Sequence, residues 1–200
     1  MHSVTWLLAT TNAGKIREMK RIMEPYPIEV KGLKEMGIEV ESPETGHTFL
    51  DNAFQKAEFY FNLVKSPVFA DDSGLEVDAL DGAPGIHSAR FGGFETHAEK
   101  CAYLLDLLKD TGENQRTARF RCAAVFFDGE QRISASGALE GAIARAPAGY
   151  GGFGYDPIFC PTPGTRSLAE YEMAEKNKIS HRGLAFSKLM EKLREKGYLP

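Results

Sequence analysis

The sequence predicts an α/β protein, a mixed β-sheet with helices packed on it. Three observations carry this. Apolar runs of strand length alternate with amphipathic helical segments through the first half of the chain. An Asp128-Gly129 turn joins two strand-like runs in the middle. No linker-like stretch interrupts the 200 residues, so two lobes, if present, would share the sheet rather than hang on a tether.

Taken in order, Val4–Ala9 is uncharged and reads as a buried strand. The loop Thr10–Gly14 leads into a helix, Lys15–Met23, with Ile16, Met19, Ile22 and Met23 on one face and Pro25 behind its end. Thr48 and Asp51 make a capping box for a second helix, Thr48–Val64, whose apolar stripe is Phe49, Ala53, Ala57, Tyr60 and Val64. Pro67–Ala70 is a short strand running into Asp71-Asp72-Ser73-Gly74, and Gly82–Gly93 is a Gly-rich loop. Thr96 and Glu99 cap a third helix that turns Cys101, Leu104, Leu105 and Leu108 inward. Ala118–Phe127 and Arg132–Ser136 are the hairpin strands, and Gly149–Asp156 is a second Gly-rich loop. Ser167 with Glu170 opens a short helix, and the last helix runs from about His181 to Lys196 with Ala185, Leu189 and Leu193 facing the core.

Hydrophobic residues are 42% and charged residues 26% of the chain, globular proportions that exclude a disordered protein. A net charge of −4 argues against a broadly basic nucleic-acid binder. No apolar run approaches the roughly 18 residues of a membrane span, and no basic stretch precedes the first apolar run as in a signal peptide. A soluble, cytoplasmic protein is expected, with no nucleic-acid or membrane partner. Cys101, Cys122 and Cys160 are odd in number and form no C-x-x-C pair, which speaks against disulfides and zinc.

Four motifs carry chemistry. Thr10-Thr11-Asn12-Ala13-Gly14-Lys15 enters a helix N-terminus, where backbone N–H groups and the positive dipole end suit phosphate. It is no Walker A loop, because Ala9 and Ile16 stand where Gly and Ser or Thr are needed. An ordinary turn with an exposed lysine would read the same way. Asp71-Asp72-Ser73-Gly74 follows an apolar strand; adjacent carboxylates there repel unless a cation or a shared proton compensates, and hard oxygen ligands suit Mg²⁺. Glu44, in a loop upstream, could complete a metal site, with Glu41 as its rival. Gly151-Gly152-Phe153-Gly154-Tyr155-Asp156-Pro157 allows close backbone approach to a ligand. Phe153 could stack a base and Asp156 could accept a hydrogen bond from sugar or base, although a tight loop with core aromatics has the same pattern. In the fourth, Lys176, His181 and Arg182 cluster at the start of the last helix, where cations oppose the dipole and a bound anion would relieve them. A solvated basic face is the plain alternative.

Together the motifs fit Mg²⁺-dependent hydrolysis of a nucleotide. In order, ATTNAGKIRE, ETGHTFLDNAFQKA, ADDSGLEVDALDGAPGIHSARFGG, GGFGYDPIF and EKNKISHRGLA resemble the inosine triphosphate pyrophosphatase family, from about Leu7 to Leu189. The resemblance implies an elongated mixed sheet flanked by helices, with two lobes and a central substrate cleft within a single domain, 1–200. It implies a homodimer, Mg²⁺, and hydrolysis of ITP, dITP or XTP to monophosphate and pyrophosphate. Carried over by residue, Thr10, Thr11, Asn12, Ala13, Gly14 and Lys15 hold the triphosphate and Lys56 reaches the phosphates. Glu44 and Asp72 bind the metal, and Asp72 accepts the proton; Asp71 is either a further ligand or a support behind the metal. Ser73, Phe153, Gly154, Tyr155, Asp156, Lys176, His181 and Arg182 contact the substrate. Thr11 stands where many members have Gly, and His87 where an aromatic is usual. The alternatives are a Maf-like nucleotide pyrophosphatase of different base preference and a nucleotide-binding sensor without turnover. The Phe-Gly-Tyr-Asp and Ser-His-Arg-Gly motifs argue against the first, and the carboxylate and lysine set against the second.

Overall fold

The computed structural model describes residues 5–199. Six strands form one mixed sheet: β1 (Thr5–Leu8), β2 (Glu29–Gly32), β3 (Val68–Val77), β4 (Thr117–Phe127), β5 (Arg132–Ile143) and β6 (Phe159–Pro161), in the spatial order β2-β1-β3-β4-β5-β6. β1 runs parallel to β2 and β3, and β5 runs antiparallel to β6. Five helices accompany them: α1 (Ala13–Met23), α2 (Phe49–Val64), α3 (His97–Leu107), α4 (Met173–Ile179) and α5 (His181–Glu195). Val4 of the predicted first strand lies outside the described residues. Among the described residues no helix is long and apolar enough to cross a membrane.

The chain resolves into two compact units. The first comprises residues 1–72, 122–137 and 182–200. Its strands are buried on both faces, so successive residues enter different cores. Trp6, Leu8, Phe69, Cys122, Ala124 and Phe126 pack with Met19 and Met23 of α1 and Phe186, Leu189 and Leu193 of α5. The alternate residues Leu7, Ala9, Val68, Ala70, Ala123 and Val125 pack with Ala53, Phe54, Ala57 and Tyr60 of α2. The Thr48 side chain caps α2 by accepting from the Asp51 N–H, as its sequence predicts.

The second unit comprises residues 73–121 and 138–181. Its core gathers Leu75 and Val77 of β3, Cys101 and Leu104 of α3, Phe120 of β4, and Ile158, Phe159 and Leu168. Both halves of the predicted Thr96–Glu99 capping box form at the head of α3. Arg116, fully buried, donates to the carbonyls of Leu108, Ile143 and Ala144, satisfying backbone acceptors at the ends of α3 and β5.

The structure corrects several elements. The strand predicted as Pro67–Ala70 does not stop before the aspartates but continues to Val77, because Leu75 and Val77 supply buried residues beyond them. The second hairpin strand runs to Ile143 rather than Ser136; small residues there hide the alternation. The short elements β2, β6 and α4 carry too little periodicity to predict. The Ser167–Glu170 segment is a single 3₁₀ turn with a complete capping box.

Candidate active site

Asp71 and Asp72 lie inside β3, not in a turn beyond it. The two-residue period of a strand sends neighbouring side chains to opposite faces. Asp71 shares the parity of Phe69 and emerges on the α1 and α5 face. Asp72 shares the parity of Val68 and Ala70 and emerges on the α2 face. The expected repulsion of two adjacent carboxylates is therefore resolved by the pleat, and each acid acquires its own partners.

On the α1 and α5 face, Asp71 Oδ2 accepts from Lys15 Nζ (2.9 Å) and Arg182 Nε (3.3 Å), with Cys122 Sγ at 3.9 Å. Arg182 Nη1 donates to Glu18, buried on α1. Burial opposes the charge of Asp71, but Lys15, Arg182 and Lys56 outweigh it and hold this carboxyl far below the usual range. Burial likewise opposes the charge of Arg182, and Asp71 and Glu18 overcome it. At the head of α1, Asn12 caps the helix by accepting from the Lys15 N–H at 3.1 Å, and Thr10 Oγ1 accepts from the Asn12 N–H at 3.2 Å. Thr11, Asn12 and Ala13 are exposed there.

On the α2 face, Asp72 Oδ2 accepts from Asn52 Nδ2 at 3.0 Å. Burial raises the Asp72 pKa against the pull of Lys15, Lys56 and the Asn52 hydrogen bond, and the negative charge of Glu44 adds to the rise. Lys56 Nζ contacts Glu44 Oε1 at 2.8 Å and donates to the Asp71 carbonyl at 3.2 Å. Burial works against the charge of Lys56, and Glu44, Asp71 and Asp72 reverse the balance and raise its pKa. Glu44, which Lys56 contacts, adds its charge at Asp72, and Glu41 is exposed.

Among the described residues, no three His, Cys, Asp or Glu side chains assemble into a metal cage. A Mg²⁺ site needs less, because this ion keeps several waters and takes one or two carboxylates plus substrate phosphates. Glu44 and Asp72 supply hard oxygens, and the Asp72 carboxylate, whose pKa is raised chiefly by burial with the charge of Glu44 adding to it, is one that a bound cation would stabilise in its ionised form. The donor set fits such an ion. Asp71 is less suited to ligation, since Oδ2 is taken by two cations; its buried Oδ1 has no hydrogen-bond partner among the described residues.

In the second unit, Asp156 Oδ2 accepts from the Phe153 N–H (2.7 Å) and from Lys176 Nζ (2.6 Å). Lys176 Nζ lies 4.9 Å from the centroid of the Phe153 ring. Gly152, at φ +71°, lies against this carboxylate; a Cβ there would meet Asp156 Oδ2 at 2.1 Å, so only glycine fits. The Tyr155 hydroxyl donates to the Ser88 carbonyl at 3.0 Å, and Gly154 O accepts from Cys101 Sγ at 3.5 Å. His181 stacks on Phe120 with centroids 4.7 Å apart and planes 10° from parallel. Ser73 is half-buried within β3.

Of the basic residues predicted to cluster at the start of the last helix, Lys176 and Arg182 each pair with carboxylates of their own unit. Lys176 belongs to α4 and is neutralised by Asp156, while Arg182, in the other unit, is neutralised by Glu18 and Asp71. Carboxylates from elsewhere in the sequence offset these charges. Sequence reading missed Glu18 and Asn52. Both are polar residues on the buried sides of amphipathic helices, and that misplaced polarity was the available signal.

The sequence pattern of the Ham1 family matches residues 6–192. The dITP/XTP pyrophosphatase of Dictyoglomus thermophilum is 47% identical over 186 residues, covering 92% of this chain and 91% of that protein. The Bacillus subtilis dITP/XTP pyrophosphatase is 47% identical over 189 residues, covering 94% and 96%. The solved structure of a HAM1 protein from Coxiella burnetii superposes with a TM-score of 0.86 at 37% identity, covering 96% of this chain and 99% of that one. On sequence and fold alike, the chain belongs to the Ham1 family.

Proposed function

We propose that the protein hydrolyses the non-standard purine nucleoside triphosphates ITP, dITP and XTP to the monophosphate and pyrophosphate, with Mg²⁺. The observation that carries this is the setting of Asp72: a buried carboxylate held by Asn52, with Lys56, itself paired to Glu44, and Lys15 acting on it as nearby cations. Phosphoryl transfer asks little covalent chemistry of a protein and much positioning and charge stabilisation, which this set offers. The names of the relatives, dITP/XTP pyrophosphatase, support the same reading.

Thr10, Thr11, Asn12, Ala13, Gly14 and Lys15 would cradle the triphosphate at the head of α1, with Lys56 reaching it from α2. Asp72 would orient the attacking water and take its proton. Glu44 and Asp72 would hold the divalent cation, which when bound neutralises charge growing on the leaving pyrophosphate. Asp71 would position Lys15 rather than ligate the metal. Ser73, Phe153, Gly154, Tyr155, Asp156, Lys176, His181 and Arg182 would contact the substrate, the Phe153 ring offering a stacking face. The protein would act as a cytoplasmic homodimer, each chain a single domain of two lobes sharing one sheet.

The test is pyrophosphate release from ITP, XTP, ATP and GTP, with and without Mg²⁺. Inosine and xanthine present a 6-keto acceptor where adenine presents an amino donor, and a site of buried donors leaves them unpaired against adenine. Guanine shares the keto group, so its exclusion must act at the 2-amino group. The expected result is kcat/KM for ITP and XTP above that for ATP and GTP by roughly two orders of magnitude. Absence of pyrophosphate from every nucleotide in the presence of Mg²⁺ would overturn the proposal.

A further inference from the structure

The loop that carries Glu44 is held by one face of α2. Asn52, Gln55 and Lys56 stand three and four residues apart and so project from the same side of the helix. Lys56 takes the Glu44 carboxylate, and Gln55 brackets Thr45, accepting from its N–H at 3.0 Å and donating to its hydroxyl at 2.9 Å. Asn52 does more. It is completely buried, its Oδ1 accepts from the Gly46 N–H at 2.8 Å, and its Nδ2 donates to Asp72 Oδ2 at 3.0 Å. An N–H on one side and a carboxylate on the other define which end of the amide is which. The chain approaches Asn52 closely at Gly46: a Cβ there would meet Asn52 Oδ1 and Asp51 Cβ at 2.7 Å and Asn52 N at 2.9 Å. One side-chain amide therefore ties the backbone of the Glu44 loop to the carboxylate of Asp72.

We propose that Asn52 is a positioning residue that fixes Glu44 and Asp72 relative to one another, so that one divalent cation meets both carboxylates. The inference rests on the reading of these two residues as the cation ligands. Asn52 would act through Asp72 and through Gly46, the two groups its amide bonds. Outer partners that orient metal-binding carboxylates typically change metal affinity by about 10–100-fold when removed, whereas a residue that only packs the loop would lower the melting temperature and leave cation affinity alone.

The experiment titrates Mn²⁺ alone, followed by electron paramagnetic resonance, into the wild-type protein and the Asn52→Ala and Gly46→Ala variants. Melting temperature and the Mg²⁺ concentration giving half-maximal ITP hydrolysis are measured alongside. Both variants are expected to weaken Mn²⁺ binding and raise the half-saturating Mg²⁺ by about tenfold or more, with KM for ITP at saturating Mg²⁺ within about threefold of wild type. The double variant should lose less than the product of the single losses, because both changes break the same tie. Gly46→Ala keeps the test alive if Asn52→Ala does not fold. Wild-type Mn²⁺ affinity and Mg²⁺ half-saturation in a folded variant would overturn the positioning role while leaving the functional reading intact. A wild-type protein that neither binds Mn²⁺ nor needs Mg²⁺ would overturn both.

Discussion

Asp71 and Asp72 are neighbours in one strand with opposite electrostatic fates. Asp71 faces Lys15 and Arg182, which outweigh its burial and hold it ionised; burial raises the pKa of Asp72 against the pull of Lys15, Lys56 and Asn52, and the charge of Glu44 adds to the rise. Identical side chains one residue apart thus become a structural anchor and a candidate base, because the strand's pleat hands them to different helices. Environments that push two carboxylates apart are how one site separates roles between chemically identical groups. The same contrast holds between the units. Around β3 in the first unit, Lys15, Lys56 and Arg182 face Glu18, Glu44, Asp71 and Asp72, three cations against four carboxylates. In the second unit, the buried pair Lys176 and Asp156 is set beside the Phe153 ring. The first group is suited to charge and the second to a flat, partly apolar ligand.

The largest effect should come from Asp72→Asn. The change keeps the shape and can still accept from Asn52, but it removes the charge and the base. Turnover of ITP should fall by about 10²–10⁴. Stability should move the other way. A carboxyl whose folded pKa exceeds its unfolded value favours the protonated form, so its ionisation weakens the fold as pH rises from the unfolded value through the folded one. At neutral pH without metal, Asp72→Asn should therefore melt at or above the wild-type temperature. An inactive variant that melts well below wild type would make Asp72 a structural residue.

Arg182→Ala probes the other fate. It leaves Glu18 and Asp71 buried without their shared cation, and breaking such a pair typically costs about 3–5 kcal/mol. Denaturant unfolding should show a loss of that size. The sign for Asp71 is opposite to that for Asp72: its folded pKa is depressed, so its contribution is present above the unfolded value and is lost as pH falls through the folded one. Acid unfolding of wild type should accordingly be steeper than that of Arg182→Ala. An unchanged unfolding free energy in that variant would show that the buried network contributes no net stability.

Lys176→Met should have a smaller effect. It strands one buried carboxylate, Asp156, which keeps the Phe153 N–H as a donor. An expected loss of about 1–3 kcal/mol, read by thermal unfolding, reflects that retained partner. Asp156→Asn/Lys176→Met together should recover part of it, since a half-broken pair is worse than none.

These contrasts also mark what the sequence made legible. Helices α1, α2 and α3 and the hairpin were readable because their apolar periods and caps are local. A role for Asp72 was proposed from motif and resemblance, but the difference between its surroundings and those of Asp71 was not legible, because it depends on where β3 ends. Asp-Asp-Ser-Gly looks like a turn, and only burial of Leu75 and Val77 in the second unit's core keeps the chain extended through it. Arg182 was visible as a cation; its neutralising partners, 111 and 164 residues away, were not. Asn52 left a local trace as a polar residue beside the apolar stripe of α2, yet its two partners come from a loop and a strand that no period connects.

The smallest predicted effect concerns Phe153, and it tests whether the second group binds a flat ligand at all. Its ring is half-buried, with the Lys176 ammonium 4.9 Å from its centroid and the His97 ring at 6.5 Å. Its backbone N–H is fixed by Asp156 rather than by the ring, so replacing the side chain should leave the loop in place. Phe153→Leu keeps apolar bulk and removes the π-face. If a purine stacks there, the loss is that of an aromatic contact, about 0.5–1.5 kcal/mol, which is roughly a threefold to tenfold rise in KM for ITP. A face used equally in ground and transition states changes KM and leaves kcat alone, so kcat should stay within about twofold. Stacking is also indifferent to the 6-substituent, so KM for ATP should rise by the same factor and the preference for ITP should survive. A variant with unchanged KM for every nucleotide would leave Phe153 as a lid on the Lys176–Asp156 pair, and a collapse of the ITP preference would move base selection onto this ring.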